Sequence, residues 1–264
     1  MLSPPRSGPR FCERGARVSM SDSAARDQAI QHLRRLEAEG VWGVRRSEPA
    51  KQEVKLATND SDLQTFSSPT AGGQSPSGES LTLETLAAAA RDCQLCRLCE
   101  ERTNVVWGVG NPDARLMFIG EGPGRDEDIQ GEPFVGAAGR LLNKIIEAMG
   151  LRREDVYIAN TVKCRPPHNR NPAEDELAAC RPYLMQQVDL VSPEMIVVLG
   201  RVAMQAILAT DAPLGRMRGR VHEWNGIPVI CTYHPAYLLR TPEDKGKTWA
   251  DMQAVMQQLG IGQQ

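Results

Sequence analysis

From residue 81 onward, short apolar runs alternate with longer segments in which apolar residues recur at helical spacing. The runs show no alternation of apolar and polar positions, which is typical of strands that are buried on both faces. Strands separated by helices predict right-handed crossovers and therefore a parallel sheet. The predicted strands are residues 116–119, 156–159, 195–199 and 228–232. The predicted helices are residues 139–149, 172–191, 201–208 and 242–259.

This order of elements predicts an α/β fold, a three-layer α/β/α sandwich on a four-stranded parallel sheet. The second helix is expected to have Asn171 as its N-cap, Pro172 at its first position and Glu174 three residues after the cap. Ligands of an open parallel sheet bind outside the carboxyl ends of its strands. The residues that directly follow each strand are therefore the first candidates for a site.

Residues 1–80 differ in composition from residues 81–264. The first part is rich in serine, and residues 56–80 contain no lysine or arginine. We interpret residues 1–80 as a largely disordered, low-complexity N-terminal tail and residues 81–264 as the folded domain. One short helix is predicted within the tail, at about residues 22–40, because Ile30, Leu33 and Leu36 recur at helical spacing.

The composition excludes several classes of protein. Of the 264 residues 41% are apolar and 24% are charged, as in an ordinary globular chain. No stretch approaches the roughly 20 apolar residues that cross a bilayer, and no apolar core of a secretion signal is present, so we expect a cytoplasmic protein without membrane contact. The net charge is −2, so a nucleic acid would have to be bound by a local basic patch.

The seven cysteines favour metal binding over disulfides, because their number is odd and no secretion signal accompanies them. Cys93, Cys96 and Cys99 are each three residues apart in a segment that we predict to be helical, where they would share one face. Four sulfur ligands suit Zn²⁺ or an iron–sulfur cluster. The proposed ligands are Cys93, Cys96, Cys164 and Cys180, with Cys99 as an alternative to Cys96.

Polar and aromatic side chains follow the predicted strands. The loop GEGPGR lacks the last glycine of a dinucleotide-binding motif, but it brings Glu121 to the edge of the sheet, and Glu127 lies in the acidic run that follows. Phe134 lies in a loop and offers a stacking surface. Asn160 ends the second strand, and its amide presents a donor and an acceptor side by side. His234 follows the fourth strand.

A local basic cluster and two leucines suggest contacts with DNA. Arginines in loops, with glycine as a neighbour, are typical of phosphate contacts. The leucines beside His234 could fill a vacated position in a base stack, or could form the first turn of a packed helix. The predicted contacts are Arg216, Arg218, Leu238, Leu239 and Arg240.

Four segments in order, GEGPGRDED, GEPFVGAAGRLLN, ANTVKCRPPHNRNP and HPAYLLR, resemble the iron–sulfur (family 4) uracil-DNA glycosylases. The resemblance extends from about residue 83 to residue 259. It implies a [4Fe–4S] cluster, with Zn as the alternative metal, bound by Cys93, Cys96, Cys164 and Cys180. It also implies a uracil pocket formed by Glu121, Gly122, Phe134, Asn160 and His234, with Glu127 as a further acidic position.

The resemblance implies a DNA-repair enzyme that flips uracil out of single- or double-stranded DNA and hydrolyses its N-glycosidic bond, leaving an abasic site. His234 would stabilise the departing base, and either Glu121 or Glu127 would orient water or stabilise the cationic sugar. We expect a monomer, with a sliding clamp or another repair protein as a potential partner of the tail. Two alternatives remain, a glycosylase with a broader range of damaged bases and a non-catalytic, cluster-stapled DNA-binding module.

Overall fold

A computed structural model of the chain describes residues 81–262. The predicted tail, residues 1–80 with its helix at about 22–40, lies outside the described residues. Within them, six strands form one sheet in the order β1-β3-β2-β4-β6-β5. The strands are β1 (Val109–Gly110), β2 (Leu116–Gly120), β3 (Tyr157–Asn160), β4 (Met195–Leu199), β5 (Val221–Trp224) and β6 (Ile227–Thr232).

Helices connect the strands and cover both faces of the sheet. The α-helices are α1 (Leu83–Ala90), α2 (Arg125–Gln130), α3 (Ala137–Ala148), α4 (Glu174–Val191), α5 (Arg201–Leu208), α6 (Leu214–Met217), α7 (Pro235–Arg240) and α8 (Lys245–Leu259). Short 3-10 helices occupy Arg97–Cys99, Arg153–Asp155, Pro167–Asn169 and Pro242–Asp244. No helix within residues 81–262 has the length and apolarity needed to cross a membrane.

The four central strands are parallel, as predicted, and the two outer strands are antiparallel additions that the sequence pattern did not reveal. Strand β1 has only two residues, too few to show a pattern. Strand β5 is mostly exposed and has two polar residues, His222 and Glu223, at its centre, unlike the buried strands. The predicted sheet was therefore correct at its centre and too narrow at its edges.

Two local predictions were wrong. Helix α4 begins at Glu174 with Ala173 as its N-cap, and the carboxylate of Glu176 accepts the Ala173 N–H at 2.8 Å. This bond replaces the predicted cap at Asn171. The segment with Cys93 and Cys96 is also not an α-helix, because α1 ends before it and only a 3-10 turn follows.

The two larger core clusters lie on opposite faces of the sheet, and a third surrounds Cys164 and Cys180. Along β2, Met117 and Ile119 contact the cluster that includes Met204 of α5, and Phe118 contacts the cluster that includes Leu142 of α3. All five residues of β2 are buried. A central strand that is covered on both faces confirms the predicted three-layer arrangement.

Candidate active site

The parallel strands end at one edge of the sheet, and most of the predicted pocket residues lie there. Gly120 at the end of β2 is paired with Asn160 at the end of β3. Leu199 of β4 is paired with Thr232 of β6, two residues before His234. The strand order therefore brings together residues that are far apart along the chain.

Gly120 allows the amide of Asn160 and the ring of Phe134 to lie close together. A Cβ at Gly120 would lie 2.5 Å from Asn160 Oδ1 and 2.6 Å from Phe134 Cζ, closer than real Cβ atoms approach other atoms. A side chain at this position would displace both groups. The ring of Phe134 in turn lies 5.5 Å from the imidazole of His234, centroid to centroid. The amide, the ring and the imidazole are thus neighbours, as the sequence predicted.

Phe134 adopts a backbone conformation that is unusual for a bulky residue. Its φ is +55°, in the left-handed region, and only 5% of the residue is exposed. A non-glycine residue in this region costs on the order of 1–3 kcal/mol. The surrounding structure must therefore hold the residue in place.

The side-chain amide of Asn160 is buried with its acceptor unused. The residue is 2% exposed, and Oδ1 has no hydrogen-bond partner among the described residues. An unsatisfied buried acceptor costs about 1–3 kcal/mol. The oxygen is therefore preorganised to accept a hydrogen bond from a ligand.

His234 is held in one neutral form. It caps helix α7, and its Nδ1 accepts the N–H of Ala236 at 3.1 Å. Because Nδ1 is the acceptor, the proton of the neutral ring lies on Nε2. Burial lowers the pKa of His234 from 6.5 to about 4, with the charge of Arg240 acting in the same direction and that of Glu127 opposing it. At neutral pH the ring is thus an uncharged donor through Nε2.

Glu121 and Glu127 differ in how free their carboxylates are. Glu121 is half-buried, its side chain accepts no hydrogen bond within residues 81–262, and burial raises its pKa against the opposing charge of Arg201. Glu127 accepts the backbone N–H groups of Gly124 at 3.1 Å and of Val135 and Gly136 at 3.0 Å. Of the two, Glu121 therefore has the carboxylate that is available to water.

Gly122 brings the first loop close to the segment after β3. A Cβ at Gly122 would lie 2.8 Å from Val162 Cγ2 and 3.7 Å from Pro166 Cδ. A larger residue would push the loop away from β3. The backbone next to Glu121 is thereby kept close to Asn160.

Four cysteines converge on one cavity beside this pocket. Its walls include Cys93, Cys96, Cys164 and Cys180, together with apolar residues such as Val105. The convergence was predicted from the sequence, although the predicted helix was not its cause. Within residues 81–262, no group of three or more histidine, cysteine or acidic side chains is spaced to hold a single metal ion.

Donor groups already point at two of the four thiols. Arg102 Nη1 lies 3.3 Å from Cys164 Sγ and donates to the carbonyl of Cys93 at 2.7 Å, and the Lys163 N–H lies 3.3 Å from Cys180 Sγ. Burial raises the pKa of Cys164 to about 11 and that of Cys180 to about 12. Without a cation these thiols stay protonated at neutral pH, so metal binding would release protons.

An ion-pair cluster braces the cysteine segments from outside the cavity. Glu176, whose side chain is fully buried, accepts from Arg97 at 2.8 Å and from Arg170 at 2.6 and 2.8 Å. The Arg170 guanidinium is the main cause that lowers the pKa of Glu176 to about 2. Arg97 follows Cys96, and Glu176 is one helical turn before Cys180. This cluster was missed because its three members are scattered along the sequence.

Lys163 connects the two parts of the site. The residue is 2% exposed, its Nζ donates to the Asn160 carbonyl at 2.8 Å and to Gln187 Oε1, and it lies 5.6 Å from the centre of the Trp107 ring. Burial lowers its pKa to about 8. No pattern in the sequence singles out Lys163, since a fully buried lysine has no periodic signature.

The predicted DNA contacts fall into two groups. Arg216, Leu239 and Arg240 are exposed, whereas Leu238 is fully buried. The Arg218 guanidinium is paired with Asp251 at 2.9 Å and only 17% of its side chain is exposed. This placement argues against a phosphate contact by Arg218.

Comparison with known proteins agrees with this arrangement. The family model of the Uracil DNA glycosylase superfamily matches residues 107–259. A type-4 uracil-DNA glycosylase of Saccharolobus solfataricus is 45% identical over 186 residues, covering 67% of this chain and 86% of the relative. Type-4 enzymes of Archaeoglobus fulgidus (42% over 187 residues, 68% and 94% covered) and Thermotoga maritima (46% over 160 residues, 60% and 83% covered) are also similar. The chain belongs to the type-4 uracil-DNA glycosylases of this superfamily, which confirms the resemblance seen in its motifs.

Proposed function

We propose that this chain excises uracil from DNA with Asn160, Phe134, His234 and Glu121 as its pocket. Membership of the type-4 family makes the chain a DNA-repair hydrolase that acts on N-glycosyl bonds. The observation that carries the proposed mechanism is the adjacency of an unsatisfied amide oxygen, an aromatic ring and a neutral imidazole at the sheet edge.

Recognition of uracil rests on Asn160 and Phe134. A uracil ring presents an N–H donor next to a carbonyl acceptor, and cytosine presents the opposite pattern at these two positions. Asn160 Oδ1, which has no partner among residues 81–262, would accept the uracil N3–H, while its NH₂ group donates to O4. Phe134 would stack on the base after it has left the duplex, at a flipping cost of a few kcal/mol.

His234 would assist the departure of the base. The C1′–N1 bond breaks with its electron pair going to uracil, which leaves an oxocarbenium-like sugar. The Nε2–H of neutral His234 would donate to the uracil oxygen on which charge develops, without transferring its proton. A preorganised contact of this kind typically contributes about 3–4 kcal/mol in the transition state.

Glu121 is the proposed partner of the attacking water. Water adds to C1′ from the face opposite the departing base, and its proton passes to the Glu121 carboxylate. The raised pKa of Glu121 makes this carboxylate a stronger base than an exposed glutamate. Glu127, with its oxygens bonded to three backbone N–H groups, is better suited to holding the loop.

The cysteine cavity fits a [4Fe–4S] cluster better than Zn²⁺. A single Zn²⁺ needs four sulfurs about 2.3 Å from one point. Four thiols surround a cavity here without being spaced for a single ion, which suits a cluster that binds each thiolate through a separate iron. When bound, the cluster would supply a rigid four-point cross-link. Cys93, Cys96, Cys164 and Cys180 would hold it, with Arg102 donating to Cys164.

Uracil-containing DNA, single- or double-stranded, is the proposed substrate. Leu239, 45% exposed, would fill the gap left by the flipped base, with Arg216 and Arg240 on the phosphates. We propose that the enzyme acts as a monomer in the cytoplasm. A clamp or repair partner would bind within residues 1–80.

The test is uracil release from oligonucleotides that contain one uracil, compared with the same oligonucleotides containing cytosine or thymine. His234→Ala should bind uracil DNA normally and release uracil at least about a hundredfold more slowly. His222→Ala, on the edge strand β5, is the matched control and should retain full activity. Equal rates for the two variants would exclude the proposed role of His234, and no release by the wild type would exclude the function.

A further inference from the structure

The loop that carries Phe134 is held from two sides. Glu127 binds the N–H groups that follow Phe134, those of Val135 and Gly136. Arg153 binds the carbonyls on the other side, with Nη2 donating to Pro133 O at 2.6 Å and Nη1 to Phe134 O at 3.4 Å. The strained backbone of Phe134 therefore lies between the hydrogen bonds to Glu127 and the hydrogen bonds to Arg153.

The guanidinium of Arg153 is itself fixed. Its Nη1 also donates to Asn143 Oδ1 of α3 at 3.0 Å. Helix α3 can approach the loop because of Gly139, where a Cβ would lie 1.8 Å from Phe134 O. Arg153 thus connects α3 and the strained loop through three hydrogen bonds, while the ring of Phe134 lies against Gly120 and His234.

We propose that Arg153 is a positioning residue that holds the carbonyls of Pro133 and Phe134, and thereby keeps the Phe134 ring preorganised to stack on the flipped base. This inference rests on the proposed function of the pocket. Arg153 contacts no substrate in this scheme and acts only through Phe134. Without it, the loop would relax towards ordinary φ values and the ring would leave the pocket.

The neighbouring residue, Arg152, provides a matched control. It has the same charge and lies in the same turn, but its side chain is 71% exposed and pairs with Asp155 and Glu154. Arg153→Gln and Arg152→Gln each remove one positive charge, but only Arg153→Gln removes the donors to the carbonyls of the Phe134 loop.

The experiment is a double-mutant cycle on uracil release, with wild type, Arg153→Gln, Phe134→Ala and the double variant. Arg153→Gln should lower kcat/KM by about ten- to a hundredfold, because the stacking ring is misplaced. Arg152→Gln should change it by less than about twofold, and Arg153→Gln should likewise add less than about twofold once Phe134 is alanine. Effects that multiply in the double variant, or equal effects of the two arginine substitutions, would overturn the proposal.

A second measurement does not depend on activity. Limited chymotrypsin digestion under native conditions should cut after Phe134 faster in Arg153→Gln than in Arg152→Gln, because the released loop exposes this bond. Arg153→Lys, which keeps the positive charge but not the two-nitrogen guanidinium, should be intermediate in both assays and replaces Arg153→Gln if the latter does not fold. A wild type that releases no uracil would refute the function, whereas equal digestion rates would refute the role of Arg153.

Discussion

The ring of Phe134 faces the imidazole of His234, with centroids 5.5 Å apart and planes inclined by 31°. The two residues reach this position from different parts of the chain, the loop before α3 and the segment between β6 and α7. Helices α3 and α7, which follow these two residues along the chain, pack against each other. The contact between these helices therefore contributes to the geometry of the pocket, which makes that geometry sensitive to substitutions that do not touch the base.

Activity should respond to acid through His234. Its pKa of about 4 keeps the ring neutral, with its proton on Nε2, across the neutral range. We expect the single-turnover rate of uracil release to be flat near pH 7 and to fall as the pH approaches 4, because protonation of Nδ1 breaks the bond from the Ala236 N–H that orients the ring. Glu121 contributes to this fall through its raised pKa, so the profile of Glu121→Gln should retain only a fall near pH 4. A residual fall centred near pH 6.5 would contradict the assignment.

The free energy of unfolding should also depend on the protonation of His234. Unfolded His234 takes up a proton below its ordinary pKa of 6.5, whereas folded His234 does so only near 4. The stabilisation from the neutral ring is therefore complete above pH 6.5 and is lost as the pH falls to 4. Urea unfolding of wild type and His234→Gln should show a smaller loss in the variant over this interval. If the free energy of unfolding falls equally with pH in both proteins, groups other than His234 determine this pH dependence.

Substrate choice should change in Asn160→Asp. A carboxylate accepts hydrogen bonds at both oxygens but cannot donate to the uracil O4, so uracil release should fall at least about a hundredfold. Cytosine, with its exocyclic amino group, becomes the better matched base. Asn169→Asp is a suitable control, because Asn169 is exposed and already accepts from Arg165. An unchanged ratio of uracil to cytosine release would exclude Asn160 as the residue that reads the base.

Substitution of Leu238 should lower stability, whereas substitution of its neighbour Leu239 should lower activity. Leu238 is fully buried, so Leu238→Ala should lower the free energy of unfolding by about 2–5 kcal/mol. Leu239→Ala should change stability by less than about 0.5 kcal/mol. It should nevertheless slow uracil release from double-stranded DNA more than from single-stranded DNA, where no stack has to be filled. Equal losses on both substrates would rule out Leu239 as the wedge.

The Glu176 ion-pair cluster should be required for loading of the cysteine centre. Glu176→Gln leaves two guanidiniums without their carboxylate and should cost about 2 kcal/mol or more. The iron content and visible absorbance of the purified Glu176→Gln variant should also fall. Asp175→Asn removes the same charge from the adjacent, 73% exposed residue and should leave both unchanged. Loss of iron in both variants, or in neither, would contradict this role.

The features that follow from repeated patterns along the chain were predicted from the sequence. The parallel strands, the layers and the place of Asn160 and His234 followed from buried runs and from the rule that sites form at strand ends. Prediction failed where a single contact determines the structure, as at the start of α4, where the N-cap is Ala173, bonded to the Glu176 carboxylate, and not Asn171. Arg153, Lys163 and Glu176 were missed for the same reason. Many of their partners belong to other elements of the fold, and burial of a charge has no signature in composition or spacing.

One feature of the segment after β3 constrains how this protein can vary. Asn160 lies in the pocket, Lys163 binds its carbonyl, and Cys164 lies in the cysteine cavity. Only three residues separate the amide from that thiol, and no loop between them can absorb a change in length. An insertion or deletion here would disturb base recognition and the metal centre together, so this stretch should be the least tolerant of length change in the domain.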